Sequence, residues 1–433
     1  MDQPHPNRAP REEETDRRRG GPLRVLGTGI ITGAADDDPS AIGTYVSAEA
    51  EFGLGFLWIA PVLLPMMYVV VYLSAKIGRD YGKGLFAAVR DRYPPGVLYP
   101  IAASAFAGNV IEAAANLGGI GAALGLLVPL PVPVIVAGAG LVVLSFQFLG
   151  SYALLRRIFR WLALALLAYP VAAIQARPDP GAVLRGTVVP GVRFDAEFLA
   201  MLVACIGTSL SAYVYTWQSN QEVEEQVAEG KRTHRQRRGA SDREIAATRR
   251  DVVVGMLFSN LILYFIILST GTTLHAAGQT EIESAAQAAA ALEPLAGAGA
   301  KYLFAAGVVG VGFLAVPVMT TGAAYDFVQT IGCPGSLNAR PSEARLFYGT
   351  ILVVTLVAVG LNFLGFNPMR ALVWSGIVQG FSVPPLLFLM MLMTRDPRMM
   401  GERANGRLTA FLGWTTTAVT FAATLCLVAT WIL

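Results

Sequence analysis

Charge is what this chain of 433 residues has little of: 15% of it is Asp, Glu, Lys or Arg, against 54% hydrophobic residues and a mean hydropathy of +0.52. A soluble domain carries roughly 25% charged residues. The deficit runs along the whole length, which excludes an ordinary soluble enzyme and points to a polytopic membrane protein. Histidine is scarce, with three residues and no pair at ligand spacing, which argues against a zinc-type catalytic centre. The three cysteines, Cys205, Cys333 and Cys426, lie far apart in or beside apolar segments. They read as packing residues, not as disulfides or a thiolate site. A net charge of +3 is too small to suggest nucleic acid. No GxxxxGK[ST] run is present, so there is no P-loop. Residues 1–22 are rich in Arg, Glu and Pro and lack the apolar core of a signal peptide. They read as a disordered cytoplasmic tail ahead of one transmembrane domain over 23–433.

What is present is a series of apolar runs. A span needs about 20 such residues, and eleven stretches qualify, at about 24–51, 54–76, 97–127, 131–149, 154–174, 196–225, 250–275, 300–328, 345–364, 367–393 and 408–432. If these alternate, every basic cluster falls on one side. The clusters are Arg17, Arg18, Arg19 and Arg24, then Lys76 to Arg92, Arg156, Arg157 and Arg160, Lys231 to Arg243, Arg340 and Arg345, and Arg395 to Arg407. The positive-inside rule then sets the N-terminus in the cytoplasm and the C-terminus outside a bacterial-type plasma membrane. The Arg-rich loop 229–250 is expected to be solvated or to lie on the anionic inner leaflet.

Two spans are interrupted. In "AADDDPSAIGTY", Asp36, Asp37 and Asp38 run into Pro39, with Gly33 before and Gly43 after. Proline cannot donate to the helix ladder and disfavours helix in the residue before it. Span six reads "CIGTSLSAYVYTWQSNQE", with Gly207 and a run of hydroxyls, both of which weaken helix. The plainer readings are a surface or re-entrant segment for the first and an ordinary polar helix for the second. Breaks five spans apart are the pointer to an inverted-repeat transporter. Spans one to five (about 24–174) and six to ten (about 196–393) form the repeats, and about 408–432 is an added helix. Acids at membrane depth without nearby Lys or Arg imply a cation. Carboxylate, hydroxyl and freed carbonyl oxygens suit Mg²⁺, Mn²⁺ or Ca²⁺. Asp38, beside Pro39, is the first ligand candidate. Asp37 is a second, and Asp36 is a candidate for the ion path.

"GTGIITGAADDDPSAIGTY" resembles the first helix of the Nramp family of divalent metal transporters, and most of all its Nramp-related magnesium transporter branch. Asp38, Pro39, Ser40 and Ala41 stand where typical members have Asp-Pro-Gly-Asn. Ser211, Ala212 and Tyr213 stand at the Met-Pro-His motif of helix six. Gln218 falls on a second histidine position, and Gly376, in "FNPMRALVWSGIVQGFSVPP", on a glutamine. "WQSNQEVEE" and "VGMLFSNLILYFIILSTGTTLH" are also similar to the magnesium branch. The resemblance implies an all-α LeuT-type fold of about 11 helices, with helices one and six discontinuous and the substrate between them. Its implied metal site is Asp38, Ser211, Thr208, Asp37 and Ala41, with Asp36, Glu112, Asn116, Tyr213, Gln218 and Gly376 on the ion pathway. Without the thioether, selection against Mg²⁺ is lost, and smaller side chains leave room for its tightly held waters. Tyr213 and Gln218 do not titrate near neutral pH, so uncoupled uniport is expected. Glu112 is a candidate for binding an ion, taking a proton, or hydrogen-bonding a neighbouring helix. The metal is cargo, no cofactor is implied, and a monomer is expected. The alternative is an ion-coupled carrier of amino acids or other organic solutes with the same fold.

Overall fold

The computed structural model describes residues 28–149 and 164–432, and these are helical with no strand among them. The tail 1–22 and the first ten residues of the expected fifth span lie outside the described residues, as do Arg17, Arg18, Arg19, Arg24, Arg156, Arg157 and Arg160. The first span is two helices, α1 (Thr28–Asp36) and α2 (Pro39–Phe52). α3 (Ile59–Lys76) is the second, followed by the short α4 (Leu85–Arg92). α5 (Pro95–Gly125) and α6 (Val132–Leu149) are the third and fourth, and α7 (Ala168–Gln175) ends the fifth. The sixth is α8 (Ala196–Ser209) with α9 (Ala212–Ala228). Spans seven to eleven are α10 (Asp242–Thr270), α11 (Ala300–Ile331), α12 (Arg345–Leu361), α13 (Pro368–Arg395) and α14 (Arg407–Ile432). Among the described residues nine helices are long and apolar enough to cross a bilayer. The broken first span and the partly described fifth complete the eleven.

Both breaks have local causes. Asp38 is extended (φ −69°, ψ 172°) and N-caps α2, with Pro39 as the first helical residue. Proline suits that position because its missing N–H would have no helical partner there. In span six the ladder ends at Leu210 (φ −122°, ψ 33°), and Ser211 is extended (φ −61°, ψ 140°). Gly207, expected to help break this span, is instead inside α8. A Cβ there would collide with the backbone of Gly376 and Gly380 on α13. The glycine permits a close helix crossing.

Other boundaries also differ from expectation. α10 starts at Asp242, not near 250, because Ser241 and Glu244 form a capping box. Its 29 residues span about 44 Å, beyond the roughly 30 Å of hydrocarbon, so its charged first turns protrude. Cys205 is buried and Cys333 partly so, but Cys426 is exposed on α14, so it does not pack in the core.

The basic loops meet at one end. Arg403 pairs with Asp80 (3.5 Å) and Asp242 (2.9 Å), Arg92 with Asp396 (3.1 Å), and Arg238 donates to the Arg398 carbonyl (2.9 Å). The Arg398 backbone N–H, with Arg92, holds the partly exposed Asp396 carboxyl below the usual range. Loops after spans two, six and ten therefore share a side, as alternation requires. The core lies along α5 against α11 and α8 against α13, with α10 covering α1 and α3.

Candidate metal centre

The two breaks face each other beside α5, and a buried oxygen cluster fills the junction. Asp38 is fully buried. Its Oδ1 accepts the Ala41 N–H at 2.7 Å, inside the first turn of α2. Its Oδ2 accepts from Asn116 Nδ2 at 3.2 Å, and the Tyr213 hydroxyl, bonded to the Ala35 carbonyl at 2.8 Å, lies 3.3 Å away. Asn116 Oδ1 in turn accepts the Ser40 N–H at 2.9 Å. One residue therefore ties the first turn of α2 to α5.

Glu112, one turn before Asn116, gathers the other half. Its Oε1 accepts from the Ser211 hydroxyl at 2.8 Å and from Ser40 at 3.3 Å. Ser40 and Thr208 hydroxyls are 2.9 Å apart. Ser211 also donates toward the carbonyls of Gly207 (2.9 Å) and Thr208 (3.0 Å) at the end of α8. Gln379 on α13 donates to Glu112 Oε2 at 2.6 Å, and its own oxygen accepts the Ala212 N–H at 3.3 Å. Asp38, Ser211, Thr208, Asn116, Glu112 and Tyr213 thus belong to one network. Among the described residues no group of three or more His, Cys, Asp or Glu converges to hold a metal. The chemistry available is two carboxylates among hydroxyl, amide and carbonyl oxygens. Such donors fit a hard dication that keeps some of its water.

The chain matches the Nramp family, natural resistance-associated macrophage protein-like, over residues 29–430. The chain belongs to the Nramp family. Members of this family are metal transporters, not enzymes. This Nramp chain is 26% identical over 404 residues to the "divalent metal cation transporter MntH" of Klebsiella pneumoniae, covering 92% of each protein. In fold it is similar to the Eremococcus coleocola manganese transporter, with a TM-score of 0.69 at 16% identity, covering 94% of this chain and 86% of that one. It is also similar to Mhp1, a nucleobase-cation-symport-1 family transporter (TM-score 0.56, 14% identity, 94% of this chain and 89% of that one). A sodium-coupled sialic acid symporter matches with a TM-score of 0.58 at 12% identity, over 94% of this chain and 93% of that one. The fold is the LeuT-type inverted repeat in an integral membrane protein.

The remaining residues singled out in this Nramp sequence lie elsewhere. Asp36 and Asp37 turn away from Asp38 toward α10, where Ser259 meets them at 3.2 and 2.9 Å, and one oxygen of each is buried without a partner. Ala41 contributes its backbone N–H to Asp38, not a side-chain ligand. Gln218 accepts from Thr32 on α1 at 2.7 Å and donates to Glu222 at 3.1 Å, below the junction toward the basic end. Glu222 and Glu225 pair with Arg79, not with the Arg-rich loop. Glu224 accepts from Tyr325, Ser336 and Asn338. Gly376 abuts the Ala204 backbone. The tenth-helix side chain that reaches the network is Gln379, one turn on in "SGIVQGF".

Sequence reasoning set Ser40 in the first-helix motif without giving it a role, and passed over Asn109, Asp326 and Met319. Asn109 donates to Asp326 at 2.8 Å and accepts from Gln379 at 3.3 Å, while Thr216 donates to Asp326 at 2.7 Å. The lone acid in the apolar run "GAAYDFVQ" was the available signal. The Met319 thioether accepts from the Asn116 amide at 3.5 Å.

Proposed function

We propose that this chain carries Mg²⁺ and Mn²⁺ across the plasma membrane of a bacterial-type cell by alternating access, as an uncoupled uniporter. It is the magnesium-transporter type of Nramp protein in this reading. The observation that carries it is the donor set at the two breaks. Asp38, Ser211 and Thr208, with Asn116 and Glu112 behind them, offer oxygen only, and the Met319 sulfur is engaged with Asn116. Hard oxygen with room for water suits Mg²⁺ as well as Mn²⁺. The names of the relatives, a divalent metal cation transporter and a manganese transporter, support a dication over an organic solute.

Uniport follows from Tyr213 and Gln218, which do not titrate near neutral pH. A dication moving inward gains about 4.6 kcal/mol per 100 mV, twice the single-charge figure. No proton is needed for accumulation.

The entry route is a cavity of about 220 Å³ lined by Ser47, Glu51, Glu281, Met369, Arg370 and Trp374. Met369 also lines a second, smaller cavity together with Leu372 and Pro39. Asp37, Asp36, Gln218 and Glu222 line the way to the basic, cytoplasmic end. The transporter domain is 23–433, as two repeats and an added helix behind a cytoplasmic tail, and acts as a monomer with its C-terminus outside.

The test is uptake into proteoliposomes at a set potential, comparing Mg²⁺, Mn²⁺ and Ca²⁺, with a pH dye in the lumen. Mn²⁺ entry that Mg²⁺ inhibits, with a flat dye signal, is the expected result. Lumenal acidification in step with metal entry refutes uniport.

A further inference from the structure

Glu49 takes no part in the network around Asp38, yet it is a fully buried acid on the same helix. It lies 11 residues beyond Asp38, about three turns toward the outer cavity. It is 0% exposed, and neither carboxyl oxygen has a hydrogen-bond partner. Its neighbours come from spans six and seven. Cys205 on α8 is near enough to interact with it electrostatically. A Cβ on Gly271 would sit 3.3 Å from its Oε2. The buried hydroxyl of Thr270, just before Gly271, is also unpartnered.

The other titratable groups nearby are engaged or neutral. Tyr45, one turn earlier, bonds Ser209 and the Cys205 carbonyl. His275 uses its ring on the Ala50 carbonyl at 2.9 Å. The charged residues of this region, Glu51 with Glu197, Asp195, Arg193 and Glu281, interact around Glu51 at the outer mouth. Among the described residues no charged group from α5, α10, α11 or α13 acts on Glu49.

An ionised carboxylate in such a place has neither a cation nor a donor to offset its lost hydration. A metal ion needs about six oxygens, and the wall beside Glu49 offers the Gly271 backbone, a leucine side chain and at most the Thr270 hydroxyl. A proton needs one oxygen. We propose that Glu49 is a proton-binding site, filled while the outer face is closed. The wall it presses on, Gly271–His275, is a π-helical turn at the end of α10. Such turns recur at functional irregularities. Opening the outer face parts α2 from this turn and hydrates Glu49, and its O–H bond breaks with release of the proton outward. Reclosure takes a proton from the same side. The proton acts as a gate ligand and does not cross the membrane. The inference rests on the transport reading for one readout only.

The first arm measures Mn²⁺ influx into proteoliposomes against outer pH at fixed inner pH and potential. Wild-type influx is expected to fall as outer pH rises, by up to about tenfold per pH unit once Glu49 ionises. Glu49→Gln, fixed in the neutral form, is expected to keep the acid-limit rate throughout, and Glu49→Asp to retain the pH dependence. A Glu49→Gln profile parallel to wild type overturns the proposal. Lumenal acidification lost in Glu49→Gln overturns the return of the proton to its own side. The second arm needs no transport. Infrared difference spectra between wild type and Glu49→Gln, or Glu49→Ala if Gln misfolds by gel filtration, are expected to show one protonated-carboxyl band lost at neutral pH. An ionised-carboxylate band lost instead overturns the proposal, whether or not the protein carries metal.

Discussion

Removing Arg79 is expected to unlatch the basic end of the bundle, and a second substitution is expected to relatch it. Arg79 follows α3, and its Nε is 2.6 Å from Glu222 Oε2 on α9, with side chains 9% and 3% exposed. It also meets Glu225, whose side chain is 49% exposed. An exposed pair contributes about 0–1 kcal/mol, so Glu225 can be set aside. Glu222 is different. Without Arg79 it keeps Gln218 at 3.1 Å and Thr248 at 3.4 Å, and no cation. Stranding one member of a buried pair costs about 3–5 kcal/mol. That cost falls on this closed arrangement, because opening the end hydrates Glu222. About 3 kcal/mol shifts a two-state equilibrium roughly 150-fold. Arg79→Met should therefore raise alkylation of a Thr32→Cys reporter on α1, in a background without the native cysteines, by two orders of magnitude or to full exposure. Glu222→Gln in the Arg79→Met background removes the stranded charge and should recover most of the protection. If Glu222→Gln instead adds to the exposure caused by Arg79→Met, the two residues are not a latch and the reasoning fails.

The other expectations follow from the junction. Asp38→Ala should abolish Mn²⁺ uptake while gel filtration shows a folded, monodisperse protein; wild-type uptake would remove Asp38 from the site. Ser211→Met with Ala41→Asn adds a soft ligand and bulk where water would sit, so a folded double mutant should still carry Mn²⁺ but lose inhibition by Mg²⁺. Inhibition as strong as in wild type would put selectivity elsewhere. Gly207→Ala should lower stability by about 1–3 kcal/mol, read as a lower melting temperature in detergent, because its methyl meets the α13 backbone. An unchanged melting temperature would mean that the crossing relaxes at no cost.

The parts of this protein legible in its sequence are those written in contiguous residues. Pro39 after three acids dictates a helix break whatever packs around it, and the break is at Asp38. The alternation of basic loops needs only counting, and the described loops after spans two, six and ten do meet. What was not legible depends on which residues face one another. A glycine in a polar helix signals a break or a close crossing with equal force. Only the position of α13 decides that Gly207 serves the crossing and Leu210–Ser211 the break. The tenth-helix glutamine was sought at Gly376, but a helical turn separates backbone contact from side-chain reach, and Gln379 is the one that touches Glu112.

Partners distant in sequence were hidden for the same reason. Arg79 and Glu222 are 143 residues apart, and each alone reads as a solvated helix end. Asp326 sits in an apolar run with no motif around it, and its donors Asn109 and Thr216 come from two other spans. Glu49 is the extreme case, since nothing in "SAEAEF" separates the buried Glu49 from the partly exposed Glu51 two residues on. On a helix those two side chains point about 200° apart, so one meets the cavity beside Arg370 and Trp374 and the other the wall at Gly271. Composition marks both as acids at a membrane face. Only the fold sets one against a cavity and leaves the other without a partner.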